Sequence, residues 1–414
     1  MESELTHNYH KIKPRAWIIL AAATGINLTF GMNYSWSVFK KVLVAEWLWS
    51  NVDAALPYTV YSTIFALVMV FAGRLQDKLG PRIVVTLGSI FAGAGLILCS
   101  FTSTLPFMAI TYGITGIGYA LCFSSTIPVC IKWFPPEKRG LIMGIVVSGS
   151  ALASAYFAPI VNALLNNYGI HNTFLILGIS VFLIMAPMAQ FLSNPPSDPK
   201  TKTAAGQPAQ PHESKNAIKD VDWRGMIKTR LFYKIWFMYF VTASAGLMII
   251  GHIATIAQTQ ANWENGFYLI SLFAIFNTGG RMIAGFLSDK FGRVKILMAV
   301  FILQTANLLL FGGYNTPGLL ALGTVVTAIS YGAAFALFPL ATADNYGLKN
   351  LGGNYGLVFT AWGLAGLLGP VIAGVSADMT GSYVYAYLIS AAALFGAIIL
   401  ALTVKPQAKT GRIS

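Results

Sequence analysis

The segment with the clearest chemical potential is residues 277–293, which read NTGGRMIAGFLSDKFGR and pass from an apolar helix into a charged turn. Arg281 lies inside the apolar part, and no acidic residue stands beside it. A guanidinium stays protonated and can bind a carboxylate through two parallel hydrogen bonds. The chemistry that this residue offers is therefore the reversible binding of an organic anion.

Composition shows what kind of protein surrounds Arg281. Hydrophobic residues make up 56% of the chain and charged residues only 10%, whereas a soluble domain carries about 25% charged residues. Many apolar runs reach about 20 residues, which is long enough to cross a bilayer as helices. The net charge of +13 lies mostly in short loops, as membrane topology requires. We therefore predict a polytopic membrane protein and exclude a nucleic-acid partner.

The apolar runs predict an all-α membrane protein of twelve spans in two sets of six. The predicted spans 1 to 12 lie near 16–38, 54–73, 83–102, 107–131, 140–164, 173–192, 233–256, 266–287, 294–312, 318–340, 352–375 and 384–403. The segment between the two sets is polar and rich in Pro, Lys, Ala and Gln, which indicates a linker with a short surface helix near 222–230. The expected domains are residues 1–192, a linker 193–231, and residues 232–414.

Loop charges predict the orientation of the spans. Lys and Arg concentrate in both termini, in the linker, and in the loops after spans 2, 4 and 8. By the positive-inside rule these segments are cytoplasmic. Lys40 and Lys41, at the outer end of span 1, are the exception; they either attract anions or are simply solvated. Short loops and short terminal segments favour a bacterial inner membrane, with a eukaryotic plasma membrane as the alternative.

An internal repeat relates the two sets of spans. GRLQDKLGPR at 73–82 matches GFLSDKFGRV at 285–294, an offset of 212 residues. The same offset takes Tyr119 to Tyr331, Phe123 to Phe335, Gly140 to Gly352, Gly144 to Gly356 and Gly169 to Gly381. Two pseudo-symmetric six-helix bundles in the same orientation follow, related by an axis along the membrane normal.

These features together resemble a known family. Twelve spans, a 6+6 repeat and the motif G-x-L-x-D-[KR]-x-G-[RP] after spans 2 and 8 are similar to the major facilitator superfamily. NYSWSVF in span 1, FNTGGRMIAGFLSDKFGR around span 8 and NYGLVFTAW in span 11 resemble its branch of monocarboxylate porters and oxalate:formate antiporters. The resemblance implies alternating access by a rocker-switch motion, and a substrate site between the halves.

The repeated loop motif predicts a gate. Asp77 and Lys78, and likewise Asp289 and Lys290, stand at helix ends, where their charges can bridge neighbouring helices and hold one conformation closed. The glycines of the motif permit close helix contact and tight turns. We assign these four residues to gating rather than to substrate binding.

Arg281 is the central candidate for substrate binding. All 14 acidic residues lie in loops, termini or span ends, and an uncompensated central charge costs about 2.5 kcal/mol or more. The simplest counter-ion is the substrate, bound in a wet central cavity. The alternative is that Arg281 snorkels to the cytoplasmic end, about 6 to 9 Å away, or bonds to carbonyls there. Asn277 shares its helix face and can orient a ligand, but it cannot carry a proton as the acid of related porters does.

The remaining candidates each have a packing alternative. His252 in span 7 can titrate near neutral pH or be a hydrogen-bonded packing residue. Tyr119 and Tyr331 are repeat partners whose hydroxyls can bind a carboxylate or simply pack. Asn33, Tyr34 and Trp36 of span 1 follow the aromatic pattern of the resembled branch.

Trp362 bears on substrate choice. Oxalate-type porters have a second cation at the place in span 11 where this chain has Trp362. One central cation suits one carboxylate, and the indole adds apolar bulk for a short hydrocarbon tail. Both points favour a monocarboxylate such as lactate or pyruvate over oxalate.

The leading prediction is a secondary transporter of a small monocarboxylate, coupled to protons by symport, with an oxalate:formate-type exchanger as the alternative. A membrane enzyme would need a nucleophile–base or metal constellation, which the spans lack. An anion channel would show rings of charge, and a sensor would carry a signalling domain. We expect no cofactor and no metal, and a monomer whose partners are the anion, protons and the lipid bilayer.

Overall fold

The computed structural model describes residues 14–31, 36–50, 53–196, 220–266 and 268–404. Spans 1 to 4 are Pro14–Thr29, Leu56–Leu79, Pro81–Cys99 and Leu105–Trp133, and spans 5 and 6 share one helical stretch, Arg139–Phe191. Spans 7 to 12 are Arg230–Ala261, Tyr268–Phe291, Arg293–Phe311, Pro317–Tyr346, Leu351–Thr380 and Val384–Leu402. Ten segments of the described chain are long and apolar enough to cross a membrane.

Glycines at matching positions of the repeat end the spans of both halves. Gly169, with φ 72°, breaks the stretch Arg139–Phe191 into spans 5 and 6, and its repeat partner Gly381, with φ 68°, ends span 11. Gly80 (φ 82°) and Gly292 (φ 95°) separate spans 2 and 3 and spans 8 and 9 in the same way. Positive φ is readily adopted only by glycine, so the repeat in the sequence reappears as a repeat in the backbone.

Two short helices accompany the spans. Trp36–Glu46 follows span 1 and packs on the N-terminal half, with the Trp36 ring 4.4 Å from that of Tyr112. Trp223–Met226 lies within the predicted surface helix, and its N-cap Asp222 accepts the Gly225 N–H at 2.9 Å. The Val221 N–H donates to the Tyr346 carbonyl at 3.0 Å, so this end of the linker is attached to span 10.

The two halves meet along spans 2 and 11 and along spans 5 and 8. Gly73 faces Gly352 and Gly140 faces Gly285 so closely that a Cβ on any of them would overlap the opposing backbone carbonyl. Small residues of this kind let membrane helices approach each other. These contacts lie at the end of the bundle that carries residues 73–82 and 285–294, here called the gate end. The structure is therefore closed at its gate end.

The predicted fold class is confirmed: the described chain is an all-helical membrane bundle with pseudo-symmetric halves. Large apolar side chains such as Leu67, Phe71 and Leu309 are exposed on its outside, as contact with lipid requires. The predicted domain limits at 192 and 232 stay a prediction, because residues 197–219 lie outside the described ranges.

Candidate functional site

An aromatic cavity of about 50 Å³ lies between the two halves. Its lining consists of aromatic side chains from both halves and two serines, namely Phe30, Tyr58, Tyr61, Phe65, Phe123, Phe335, Phe359, Trp362, Ser62 and Ser150. Ring pairs cross the interface, with centroids 5.5 Å apart for Phe123 and Phe359. Apolar walls with a few polar groups are typical of small-molecule sites, so the cavity suits a small ligand with an apolar body.

Arg281 lies immediately behind the wall of this cavity and is fully buried. Its Nε donates to Asn277 Oδ1 at 3.1 Å within span 8. Its Nη1 donates to Ser150 Oγ at 2.8 Å and also to the Val147 carbonyl, both in span 5 of the opposite half. The guanidinium stands over the Phe335 ring, 4.5 Å from its centroid. One buried cation thus joins the two halves at the level of the cavity.

The burial of Arg281 differs from the expectation of a wet cavity around the guanidinium. Span 5 closes on span 8 at this level because Gly144 has no side chain; a Cβ there would lie 2.6 Å from the Arg281 carbonyl oxygen. A buried charge requires hydrogen-bonding partners, and in this closed state the hydroxyl of Ser150 and the carbonyl of Val147 supply them. The bond to the Val147 carbonyl is the type of contact expected if Arg281 bonds to backbone carbonyls instead of binding substrate.

Ser150 was not a candidate in the sequence analysis, although the repeat contained a signal for it. The offset of 212 residues makes Ser150 the counterpart of Trp362, and both residues line the cavity. The same offset makes Met69 the counterpart of Arg281 and Phe65 that of Asn277. The two polar residues of span 8 therefore correspond to two apolar residues of span 2. Of the two equivalent positions 69 and 281, only 281 carries a cation.

The two repeat-related tyrosines have different surroundings. Tyr119 donates its hydroxyl to the Thr29 carbonyl at 3.0 Å, and its ring packs 4.6 Å from that of Phe30. The Tyr331 hydroxyl accepts the indole N–H of Trp362 at 2.8 Å. Phe30 and Trp362 both line the cavity, so each tyrosine supports a ring of the cavity wall from behind.

The structure places His252 apart from Arg281. Its Nε2 lies 3.0 Å from the Pro370 carbonyl and its ring 5.5 Å from that of Tyr383, so it joins span 7 to span 11. The described residues that line the cavity do not include it. Asn33 and Tyr34 lie outside the described residues, while Trp36 donates its indole N–H to the Ala54 carbonyl at 2.9 Å.

The two acids of the repeated loop motif bind the opposite halves of the molecule at the gate end. Asp289 accepts the backbone N–H groups of Gly140 at 2.9 Å and Leu141 at 3.0 Å, in the first turn of span 5. Asp77 accepts the N–H of Gly353 at 2.8 Å, in the first turn of span 11. Helix N-termini carry unsatisfied N–H groups and a partial positive charge. Each carboxylate therefore joins the two halves at the gate end.

Basic residues support both acids. Arg293 donates to Asp289 at 2.6 Å and to Asp344 at 3.3 Å, and Lys132 lies 3.5 Å from Asp77. The ion pairs thus join each acid to a residue other than its chain neighbour; Lys290, for instance, lies 4.5 Å from the centroid of the Phe286 ring. The charged network at the gate end is stronger around Asp289 than around Asp77.

The sequence of the chain matches that of a known family. The sequence profile of the Major Facilitator Superfamily matches residues 17–306 and 255–414. The chain belongs to the Major Facilitator Superfamily. As a member of this family of transporters it is a multi-pass integral membrane protein and a transporter, not an enzyme.

Relatives within the superfamily agree with the branch suggested by the motifs. The chain is 26% identical over 385 residues to the oxalate:formate antiporter of Oxalobacter formigenes, covering 91% of this chain and 88% of that protein. It is 28% identical over 389 residues to monocarboxylate transporter 13 of Rattus norvegicus, covering 91% and 86%. The MFS-type transporter YhjX of Escherichia coli (strain K12) is 26% identical over 369 residues, covering 87% of each chain.

Solved structures of the superfamily share the fold. The transporter FucP in its outward conformation superposes with a TM-score of 0.70 at 15% identity, covering 96% of this chain and 100% of that one. The human organic anion transporter MFSD10 superposes with a TM-score of 0.70 at 13% identity, covering 94% and 100%. At these identities the likeness supports the fold alone.

Proposed function

We propose that this chain is a secondary active transporter of a small monocarboxylate of the lactate or pyruvate type. Transport occurs by alternating access, with proton symport as the coupling mode, and the substrate carboxylate pairs with Arg281. The observation that carries the proposal is the position of that guanidinium, buried behind the wall of an aromatic cavity between the two halves. A cation at this depth is costly, so ionisable residues inside a membrane are found mainly where they have a function.

The surroundings of Arg281 support a monocarboxylate rather than a dicarboxylate. Its repeat counterpart is Met69, and Trp362 forms the cavity wall where a second cation would be needed for a dianion. The aromatic rings offer apolar surface to a short hydrocarbon tail. A carboxylate bound to Arg281 would neutralise the buried charge, so the loaded carrier would change conformation without moving a net charge through the interface.

Asn277 and Tyr331 complete the proposed site. Asn277 orients the guanidinium through its Oδ1, and Tyr331 fixes the indole of Trp362. Tyr119 acts through Phe30 on the opposite wall. Asn33 and Tyr34 stay predicted site residues, because they lie outside the described ranges, and His252 makes no direct contact with the substrate in this arrangement.

The proposed setting is a bacterial inner membrane, with the protein acting as a monomer. Both termini and the gate end face the cytoplasm, because the Lys and Arg residues of the short loops concentrate at that end. In this orientation the described structure is closed towards the cytoplasm.

Uptake of labelled L-lactate into proteoliposomes tests the proposal. Vesicles that contain the purified protein and no internal anion are given an inward proton gradient or no gradient, and protein-free vesicles are the background. Symport predicts gradient-driven accumulation above the external concentration. Absence of uptake of lactate, pyruvate and other short monocarboxylates in every format would overturn the proposal.

The second candidate is an organic anion exchanger of the oxalate:formate type, favoured by the similarity to the Oxalobacter formigenes antiporter over most of the chain. Vesicles preloaded with an organic anion distinguish it from the symporter. An exchanger takes up labelled substrate only into preloaded vesicles, whereas a symporter also accumulates it in vesicles that start empty.

A further inference from the structure

Ser150 has a hydroxyl group whose two hydrogen bonds have defined directions. It donates its proton to the Val147 carbonyl one turn earlier in span 5, at 2.9 Å. Its oxygen lone pairs are therefore directed away from that carbonyl, and they accept the N–H of Arg281 Nη1 at 2.8 Å. A hydroxyl can donate once and accept twice, so this arrangement uses the serine as an acceptor for the cation.

Ser150 also lies between the cavity and the guanidinium. The serine lines the cavity, while Arg281 is fully buried behind it. Span 5 belongs to the N-terminal half and span 8 to the C-terminal half, so the hydrogen bond between the two residues crosses the interface. A carboxylate that enters the cavity reaches the Ser150 hydroxyl before it reaches the cation.

We propose that Ser150 is a positioning residue that tethers Arg281 to the N-terminal half in the substrate-free, gate-closed state, and that the substrate carboxylate replaces it. This inference rests on the proposed function, since it names the residue that the substrate displaces. A carboxylate accepts stronger hydrogen bonds from a guanidinium than a neutral hydroxyl does. The exchange of partners is therefore favourable, and it breaks a contact that joins span 5 to span 8.

The tether links binding to opening of the gate end. When the carboxylate holds the guanidinium, the bonds of Arg281 Nη1 to Ser150 and to the neighbouring Val147 carbonyl no longer oppose separation of spans 5 and 8. The gate-end contacts of Asp77 and Asp289 remain in place, so binding lowers the cost of opening without removing the gate. The substrate-free carrier opens less readily than the loaded one for the same reason.

Ser148 offers a matched control within the same interface. Its hydroxyl lies 3.2 Å from the Thr278 carbonyl of span 8 and 2.6 Å from the Gly144 carbonyl of its own helix. It thus also bridges spans 5 and 8 but does so through the backbone, without Arg281. Loss of the Ser148 hydroxyl weakens the interface and leaves the proposed exchange of partners intact.

Opening of the gate end can be measured through Gln76, a fully buried residue of span 2. A Cβ added to Gly352 of span 11 would lie 2.6 Å from Gln76 Oε1, so the residue is covered by the opposite half and lies away from spans 5 and 8. A Gln76→Cys variant is labelled with a maleimide in the purified full-length protein, with and without L-lactate. Cys99, Cys122 and Cys130 are buried; the protein that keeps Gln76 gives their background, and the Gln76→Cys protein is the parent for the variants below.

Removal of the hydroxyl is expected to open the substrate-free carrier. Without substrate, Ser150→Ala should raise the labelling rate of the cysteine at position 76 about tenfold, the scale of one hydrogen bond to a charged group. Substrate should raise labelling several-fold in the parent and little in Ser150→Ala. The Thr and Val side chains have nearly the same shape, and only Thr has a hydroxyl. Ser150→Thr should therefore behave as the parent, and Ser150→Val as Ser150→Ala.

Three outcomes contradict the tether. Equal substrate-free labelling in Ser150→Ala and the parent, or a substrate response in Ser150→Val as large as that in Ser150→Thr, would show that the hydroxyl does not restrain Arg281. Ser148→Ala should keep the substrate response of the parent. If Ser148→Ala also loses that response, the labelling changes report a general loosening of the contact between spans 5 and 8. If no monocarboxylate changes labelling in the parent, the proposed function fails, while the substrate-free comparison still tests the tether.

Discussion

The indole N–H of Trp362 donates to the Tyr331 hydroxyl over 2.8 Å, joining span 11 to span 10 at the wall of the central cavity. The Trp362 ring also packs 6.1 Å from the Phe65 ring of the opposite half. The polar edge of the indole is thus satisfied by the protein, and its apolar body is left to form the cavity wall. A ligand at this position meets aromatic surface instead of a second positive charge.

Trp362→Lys should extend binding to a dianion, because a second cation would then face the cavity opposite the first. We expect oxalate to compete with labelled lactate at least about tenfold better in this variant, since one charge-assisted pair is worth a factor of this size. The measurement is inhibition of uptake by oxalate. Trp362→Met, which is neutral and apolar, should show no such gain. An equal gain in oxalate competition there would mean that removal of the bulky indole, and not the added charge, admits oxalate.

Arg281→Lys should reduce transport sharply although the charge is kept. An ammonium cannot reproduce the planar fork that bonds Asn277 while it pairs with a carboxylate, so we expect uptake at limiting substrate to fall by about tenfold or more. Initial rates of lactate uptake and binding by calorimetry provide the check. Near-normal values of both would remove the guanidinium from the proposed site.

Asp289→Asn should loosen the gate end more than Asp77→Asn. Asp289 accepts two backbone N–H groups and pairs with Arg293 at 2.6 Å, whereas Asp77 accepts the Gly353 N–H and lies 3.5 Å from Lys132. Charge-assisted bonds are the stronger kind, so the ratio of gate-closed to gate-open protein should fall about tenfold for Asp289→Asn and about threefold for Asp77→Asn.

Spin labels at the exposed residues Lys138 and Lys349, one in each half at the gate end, report this loosening as a distance distribution. The parent should show mainly the short distance, and the two variants a growing share of longer ones. A larger shift for Asp77→Asn would mean that the contact of span 2 with span 11 dominates closure.

His252→Ala should leave the pH dependence of uptake unchanged. The His252 ring is engaged with the Pro370 carbonyl and packs beside Tyr383, away from the described lining of the cavity. Uptake measured between pH 5 and 8, the range in which an unperturbed histidine titrates, tests this. Loss of the pH response, with protein that remains folded and binds substrate, would make His252 the proton carrier.

Local sequence patterns determined the architecture of this protein. Apolar runs of bilayer length indicated the spans, and the repeat at an offset of 212 residues indicated two pseudo-symmetric halves with glycine-ended spans. A single arginine in an apolar helix indicated the candidate site, because an uncompensated charge inside a membrane is costly. These features follow from the order of residues along the chain and do not depend on how the helices pack, so the sequence is sufficient to show them.

Only the tertiary structure decided which residues face one another across the interface. Close packing of spans 5 and 8 brings Ser150 to Arg281 and excludes water from it, and packing of span 7 on span 11 turns His252 towards Pro370. The same packing joins Asp77 and Asp289 to helix ends of the opposite half. Such pairings join residues more than 100 positions apart in the chain, and they depend on helix rotation and on the closed state of the gate end. Span length, charge and periodicity leave both of these undetermined.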